Sequence, residues 1–329
     1  MKTYLTRLPG AALLSLALCV AQSGSTARSA VFSDQAALDQ ASVFAAQNSI
    51  FNPVVRVSVY HDFLAGTGAG GSAVVVGNGD WLLTSGHILT SVVSQGGIEQ
   101  IRVKVGNDAK NPDLVVHGDS WHVYPGYAGG AGLGVDLALI HLATPINSVV
   151  PASLYGGPQS SLTGVPANMC GYGIPGIAGL GLITDDDLKR AGGNIIGDVS
   201  YPSVEPQYIV SRFDSPQSGL AVALEWQGSQ GDSGGPWMVQ DGGIWKVCGI
   251  SSGGNHDPSF SFGNVTFAMN VSGYLDWING YVSVPEPSTA SLCLLGGVIF
   301  LLRRRSGATS VASTPSPPLE RPKRVQSCF

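Results

Sequence analysis

Charge is scarce in this sequence. Asp, Glu, Lys and Arg make up 12% of its 329 residues, about half of what an average soluble domain carries. Runs of Glu, Lys and Leu with helical spacing are equally scarce, which excludes a helical bundle or a coiled coil. Positive charge is nearly missing from the middle of the chain: residues 31–302 hold 8 basic and 21 acidic residues. Such a body repels phosphate backbones and anionic lipid, so a nucleic-acid partner is excluded. Cysteine is sparse too. Of five, Cys19, Cys293 and Cys328 fall near the ends and only Cys170 and Cys248 in the body, so no disulfide-dense scaffold is present. Those two either form one disulfide or remain two buried thiols. His61, His117, His122 and His141 lack the paired spacing of a metal site,. The run Asp185–Asp187 has no calcium-loop motif around it,.

What is abundant is glycine, 45 residues, together with short runs of β-branched and aromatic residues. Strands are expected over Val54–Tyr60, Ser72–Val76, Trp81–Thr84, Ile101–Val105, Leu114–His117 and Leu137–Leu142,. After a Gly- and Pro-rich stretch they resume over Val165–Met169, Tyr208–Ser211, Leu220–Trp226, Trp237–Gln240, Trp245–Ile250 and Val265–Met269. A terminal helix starts at Tyr274–Asn279. Many short strands with almost no helix indicate an all-β barrel or sandwich. Gly66-x-Gly68-x-x-Gly71 and Gly171-x-Gly173-x-x-Gly176 match a dinucleotide fingerprint in letters only, because neither opens a helix,.

Both ends carry address signals. Lys2 and Arg7 precede an apolar run from Ala11 to Ala21, the pattern of a secretory signal over residues 1–27, with small residues that permit cleavage after Ala21 or Ala27. Residues 28–50 are then an N-terminal segment or propeptide. At the other end stand Pro285-Glu286-Pro287, an apolar run from Ser288 to Leu302, and Arg303-Arg304-Arg305. This region, 284–305, resembles the PEP-CTERM sorting signal of exported bacterial proteins. The resemblance implies a sorting peptidase as partner and membrane contact through residues 288–302, as a transmembrane helix, before processing. Residues 306–329 follow as a Ser/Pro-rich, disordered tail.

Chemistry concentrates in Gly231-Asp232-Ser233-Gly234-Gly235-Pro236. Glycines around a serine allow a tight turn that exposes its hydroxyl. They also let the N–H groups of Gly231 and Ser233 converge where a tetrahedral intermediate holds its oxyanion. A serine needs a base, and Thr84-Ser85-Gly86-His87 supplies one after a strand. The base needs an orienting acid. Asp136, at the mouth of the apolar run Leu137-Ala138-Leu139, is an acid that requires a partner there. The same segment fits G-x-S-x-G, but the α/β-hydrolase order needs an acid and then a histidine downstream, and only His256 follows Ser233,.

These three segments, in this order, resemble the trypsin-like peptidase family. That resemblance runs from Val54 to Ile278. It implies two perpendicular six-stranded antiparallel barrels with a short C-terminal helix, the barrels spanning residues 51–155 and 156–283. It implies an exported serine endopeptidase with His87, Asp136 and Ser233 as catalytic residues, an oxyanion hole from Gly231 and Ser233, protein or peptide substrates, and no cofactor or metal. Gly249–Gly254 resembles the family's substrate-pairing strand, which implies that its serine, Ser252 in preference to Ser251, bonds the triad aspartate and that Gly254 lies at the substrate. Gln227 falls at the floor of the specificity pocket, where its neutral amide gives a cationic side chain no counter-charge. His87 is followed by Ile88 and Ser229 stands where cysteine is common, so most family disulfides are absent. No Ile-Val-Gly-Gly start is evident, which leaves the partner of Asp232 open. The alternative function is a non-enzymatic surface or matrix protein on a peptidase scaffold; such relatives lose a triad member, and none is missing here.

Overall fold

The computed structural model describes residues 30–130, 133–197 and 207–282. The leader over 1–27, the sorting segment over 284–305 and the tail over 306–329 lie outside the described residues. The chain divides into two units, Met1–Ser283 and Val284–Phe329, and every described residue belongs to the first. No helix among the described residues is long and apolar enough to cross a membrane.

The described chain opens with β1 (Val31–Phe32) and helix α1 (Gln35–Gln47), a stretch to which the strand pattern assigns nothing. Asp34 starts the helix: its carboxylate accepts from the Ala37 N–H at 2.9 Å, satisfying an amide that the first turn leaves without a partner. Leu38, Ala41 and Ala45 recur at spacings of three and four and are buried,.

Six strands then close a first barrel. They are β2 (Val54–Asp62), β3 (Thr67–Val76), β4 (Trp81–Thr84), β5 (Gln100–Val105) and β6 (Leu114–Val123), followed, after a small pair β7 (Tyr127–Gly130) and β8 (Leu133–Gly134), by β9 (Ala138–Leu142). The order around the barrel is β2-β3-β4-β9-β6-β5. Helix α2 (Gly86–Val93) is inserted after β4. Side chains alternate between faces along a strand. Val55, Val57, Ala73, Val75, Leu82 and Ile140 fill the barrel. Their neighbours Val54, Val74, Leu83 and Leu139 face a second cluster shared with Tyr172, Met238, Ile250 and Ile278. Strands buried on both faces read as unbroken apolar runs, which is why these were legible.

The remaining strands are β10 (Ser153–Leu154), β11 (Pro166–Gly171), β12 (Gly176–Ile177), β13 (Gly181–Leu182), β14 (Arg190–Gly197), β15 (Tyr208–Arg212), β16 (Pro236–Asp241), β17 (Ile244–Asn255) and β18 (Val265–Asn270). Six of them run β17-β16-β11-β14-β15-β18, and pairing of β17 with β18 closes the ring. β10 adds to β17 in parallel, and β1 joins β12 and β13 in a small sheet. Helix α3 (Leu275–Tyr281) ends the description and buries Ile278 in the shared cluster. The expected all-β fold, two six-stranded antiparallel barrels and a short terminal helix, is the fold observed.

The structure departs from the expected strands in two places and decides between the two readings of the cysteines. Leu220–Trp226 is not a strand. Glu225 and Gln227 make isolated bridges to Gly193 and Val31, and Leu224 takes φ +53°, so the apolar content reflects a loop laid over the barrel with Trp226 fully buried. The segment between Met169 and Tyr208, to which the strand pattern assigns nothing, holds a strand, β14. Its Gly192 and Gly193 admit that loop: a Cβ at Gly192 would lie 2.5 Å from the Leu224 carbonyl oxygen. Finally, Cys170 and Cys248 are both free and buried. They sit on β11 and β17, with β16 between them. Two strand spacings amount to about 9.5 Å, beyond the roughly 7 Å that a disulfide spans between Cα atoms.

Candidate active site

Ser233 occupies the turn between Ser229 and Gly235, closed by the Asp232 N–H donating to Ser229 O at 3.1 Å and the Gly235 N–H donating to Asp232 O at 2.8 Å. Gly231 and Gly234 take φ of +97° and +83°, the region that disfavours residues with a Cβ. At Gly234 a Cβ would stand 2.0 Å from Ser72 O and 2.2 Å from Thr84 Oγ1, so glycine is required twice over. The turn is braced from the first barrel: the Ser72 N–H donates to Ser233 O at 2.8 Å, its hydroxyl donates to Gly231 O at 3.0 Å and accepts from the Tyr172 N–H at 2.9 Å. Nothing in the sequence singles out Ser72, a lone hydroxyl entering an apolar strand.

The same turn orients two amides. In a trans peptide the C=O of one residue and the N–H of the next point opposite ways. Gln230 O accepts from the Ile174 N–H and Asp232 O accepts from the Gly235 N–H, both at 2.8 Å. The N–H groups of Gly231 and Ser233 therefore point out of the turn, and among the described residues neither donates to a protein acceptor. This is the arrangement an oxyanion requires.

His87 is the second residue of α2, which starts directly after β4. Ser85 ties that junction to the second barrel by donating to Ser251 O at 2.6 Å. Asp136 precedes β9, has 0% exposure, and accepts three hydrogen bonds: from the His87 N–H at 2.9 Å, from His87 Nδ1 at 2.7 Å and from the Ser252 hydroxyl. Since a carboxylate only accepts, Nδ1 carries the proton and Nε2 is left as the acceptor. Nε2 stands 2.9 Å from Ser233 Oγ. Residues separated by 49 and 97 positions thus form one hydrogen-bonded chain from carboxylate to hydroxyl.

Asp232, beside the serine, is buried, and no ion pair among the described residues reaches it. One oxygen accepts from the Gly173 N–H at 3.0 Å and the other from the Ser229 N–H at 2.9 Å. The Ser229 hydroxyl lies 3.3 Å from it while donating to Ile174 O at 2.8 Å. Burial pushes the Asp232 carboxyl up to about 7, against those hydrogen bonds. Burial likewise raises Glu225 to about 7; its carboxylate collects the Asp214 and Val222 N–H groups and so shapes the loop over the barrel.

Gln227 is fully buried. Its backbone exchanges hydrogen bonds with Val31 at 2.9 and 3.1 Å, and its side-chain amide has no hydrogen-bond partner among the described residues. Gly254 sits on β17, opposite Thr266. The structure therefore brings His87, Asp136, Ser233, Ser252 and the Gly231 amide into one cluster, with Gln227 and Gly254 on the two segments that flank it.

Two six-stranded barrels with a serine, an imidazole and a carboxylate in line between them define the class of chymotrypsin-like folds. The Trypsin family model matches residues 52–278, and the chain belongs to the trypsin family. Among solved structures, a chain described as HL collagenase aligns with 72% of this chain and 96% of its own length, at 17% identity and a TM-score of 0.53. That likeness shows the fold.

Proposed function

We propose that this chain is an exported serine endopeptidase that cleaves peptide bonds through an acyl-enzyme. Ser233 Oγ attacks the scissile carbonyl carbon while His87 Nε2 takes the hydroxyl proton. The carbonyl oxygen, now negative, accepts from the Gly231 and Ser233 N–H groups. His87 returns its proton to the leaving nitrogen as the C–N bond breaks, leaving an ester on Ser233. Water, deprotonated by His87, attacks that ester, and Ser233 regains its proton. Asp136 stays ionised, holding Nδ1–H in place and stabilising the transient imidazolium. Every step uses groups of the chain and water. Export rests on the leader pattern, and a later stay in the cell envelope on the Pro285-Glu286-Pro287 segment.

One observation carries the reading: the unbroken line Asp136–His87–Ser233, at 2.7 and 2.9 Å, beside two amides with no other acceptor. A fluorophosphonate probe incubated with the purified protein tests it. Peptide mass mapping should find the label on Ser233, and Ser233→Ala should abolish it. Label that persists in Ser233→Ala refutes the assignment, and an intact protein that takes no label favours the non-enzymatic scaffold.

A further inference from the structure

Two backbone segments close to Ser233 in the chain's fold take no part in the proposed steps. One is Gln227–Ser229, which leads into the serine turn. The other is Ser252–Gly254, on β17. Beyond the serine their continuations are joined, the Gly234 N–H donating to Ser251 O and the Ser251 N–H to Gly235 O, both at 2.8 Å, and Thr266 links the segments themselves by accepting from the Gly228 N–H and pairing with Gly254. The resemblance that puts Gln227 at the floor of the specificity pocket places the side chain of the residue under attack between them.

Two side chains already occupy much of that space. Thr266, on β18, is the cross-strand partner of Gly254, so the two project to one face of the sheet. Its hydroxyl accepts from the Gly228 N–H at 3.0 Å, and its Cγ2 lies 2.8 Å from where a Gly228 Cβ would stand. On Gly254 the corresponding position is taken by His256: a Cβ there would lie 1.8 Å from Nε2. The ring is held by stacking on Phe260, centroids 4.8 Å apart and planes 24° apart. Glycines at 228 and 254 thus make room for this chain's own Thr266 and His256, which narrow the slot in place of the missing side chains.

The slot's polarity is distinctive as well. The Gln227 amide and His256 Nε2 are buried without hydrogen-bond partners among the described residues, and burial holds the imidazole down to about 4. No ion pair among the described residues involves Gln227, Gly228, Gly254, His256 or Thr266. The nearby carboxylate of Glu225 is committed to backbone amides. A buried cation would find no counter-charge, and a buried carboxylate would find one only by protonating His256 against the cost of its burial,.

The resemblance to the trypsin family makes this slot the specificity pocket, and we propose that in this chain Thr266 and His256 restrict it to small uncharged side chains such as Ala, Ser and Thr. The inference rests on the peptidase reading and adds its substrate class.

The test is a set of peptide anilides identical except at that residue, carrying Ala, Ser, Thr, Phe, Lys or Glu. Values of kcat/KM are normalised to the fraction of each preparation that takes fluorophosphonate on Ser233. Ala and Ser should exceed Phe, Lys and Glu by about tenfold or more, the scale on which a pocket discriminates by size. Thr266→Gly and His256→Ala, each alone, should raise the Phe-to-Ala ratio by about tenfold. Labelled wild-type protein that prefers Phe, Lys or Glu overturns the slot assignment and leaves the peptidase reading standing. So does an unchanged Phe-to-Ala ratio in both labelled variants. A variant that fails to fold shows itself by taking no label, and the wild-type series then decides alone. Wild-type protein with neither label nor turnover overturns both readings.

Discussion

Replacing Asp136 by asparagine tests the hydrogen-bonded chain where its geometry is most constrained. One carboxylate oxygen takes the His87 backbone N–H at 2.9 Å, and the other takes His87 Nδ1–H at 2.7 Å together with the Ser252 hydroxyl. In the variant, the side-chain oxygen must keep facing the backbone N–H, since an NH2 group there would oppose donor to donor in a site with 0% exposure,. The NH2 group then faces Nδ1, which can only accept. The imidazole proton moves to Nε2, which now donates toward Ser233 Oγ and is unable to take its proton. Loss of the base in this way lowers kcat by about 10⁴, or about 5 kcal/mol of transition-state stabilisation. KM should change little, because Asp136 is sealed from substrate. Steady-state hydrolysis of a small activated ester by the two purified proteins is a sufficient assay, with matched thermal melts to show that the fold is kept. A loss below about tenfold would mean that His87 does not depend on Asp136 for its tautomer, and the reasoning would fail.

Further outcomes follow from single contacts. Gly234→Ala sets a Cβ against Ser72 O and Thr84 Oγ1 at φ +83°; it should cost more than about 2 kcal/mol in chemical unfolding and most of the ester hydrolysis, and a variant of native stability would contradict the turn geometry. Burial pushes the Cys170 thiol up to about 12 and raises Cys248 as well, so neither should react with iodoacetamide near pH 8 until the protein is unfolded, and both should then react without added reductant. Asp232, about 7 in the fold against 3.8 unfolded, binds more proton in the native state between those values. Its contribution is whole below about pH 4 and is lost as pH rises toward about 7. Asp232→Asn should therefore flatten the fall in melting temperature between about pH 5 and pH 8, and an unchanged slope would show that the carboxyl titrates normally.

Legibility in the sequence followed locality. Gly231–Pro236 carried its own turn signal, so Ser233 stood out as the candidate nucleophile. Asp136 was evident because an acid at the head of an apolar strand demands a donor. The strands of the first barrel stood out where both faces are buried, and Trp81–Thr84 agrees at both ends. Features that depend on register were hidden. The separation of Cys170 from Cys248 is set by β16 lying between their strands. The place of His256 is set by the pairing of Gly254 with Thr266, and the brace on the serine turn by Ser72 from the other barrel. β14 was hidden because its glycines serve the loop above it and break the β-branched pattern. Helix α1 did leave a signal: Asp34 as cap, with Leu38, Ala41 and Ala45 at helical spacing.

The central claim is that Ser233 becomes esterified during turnover. Rapid mixing of the purified protein with a chromogenic ester of a small acyl group measures this directly. The account predicts a burst of leaving group approaching one equivalent per chain before the steady state, absent from Ser233→Ala and His87→Ala. Turnover with no burst, and no acyl group on Ser233 after acid quench, would contradict it.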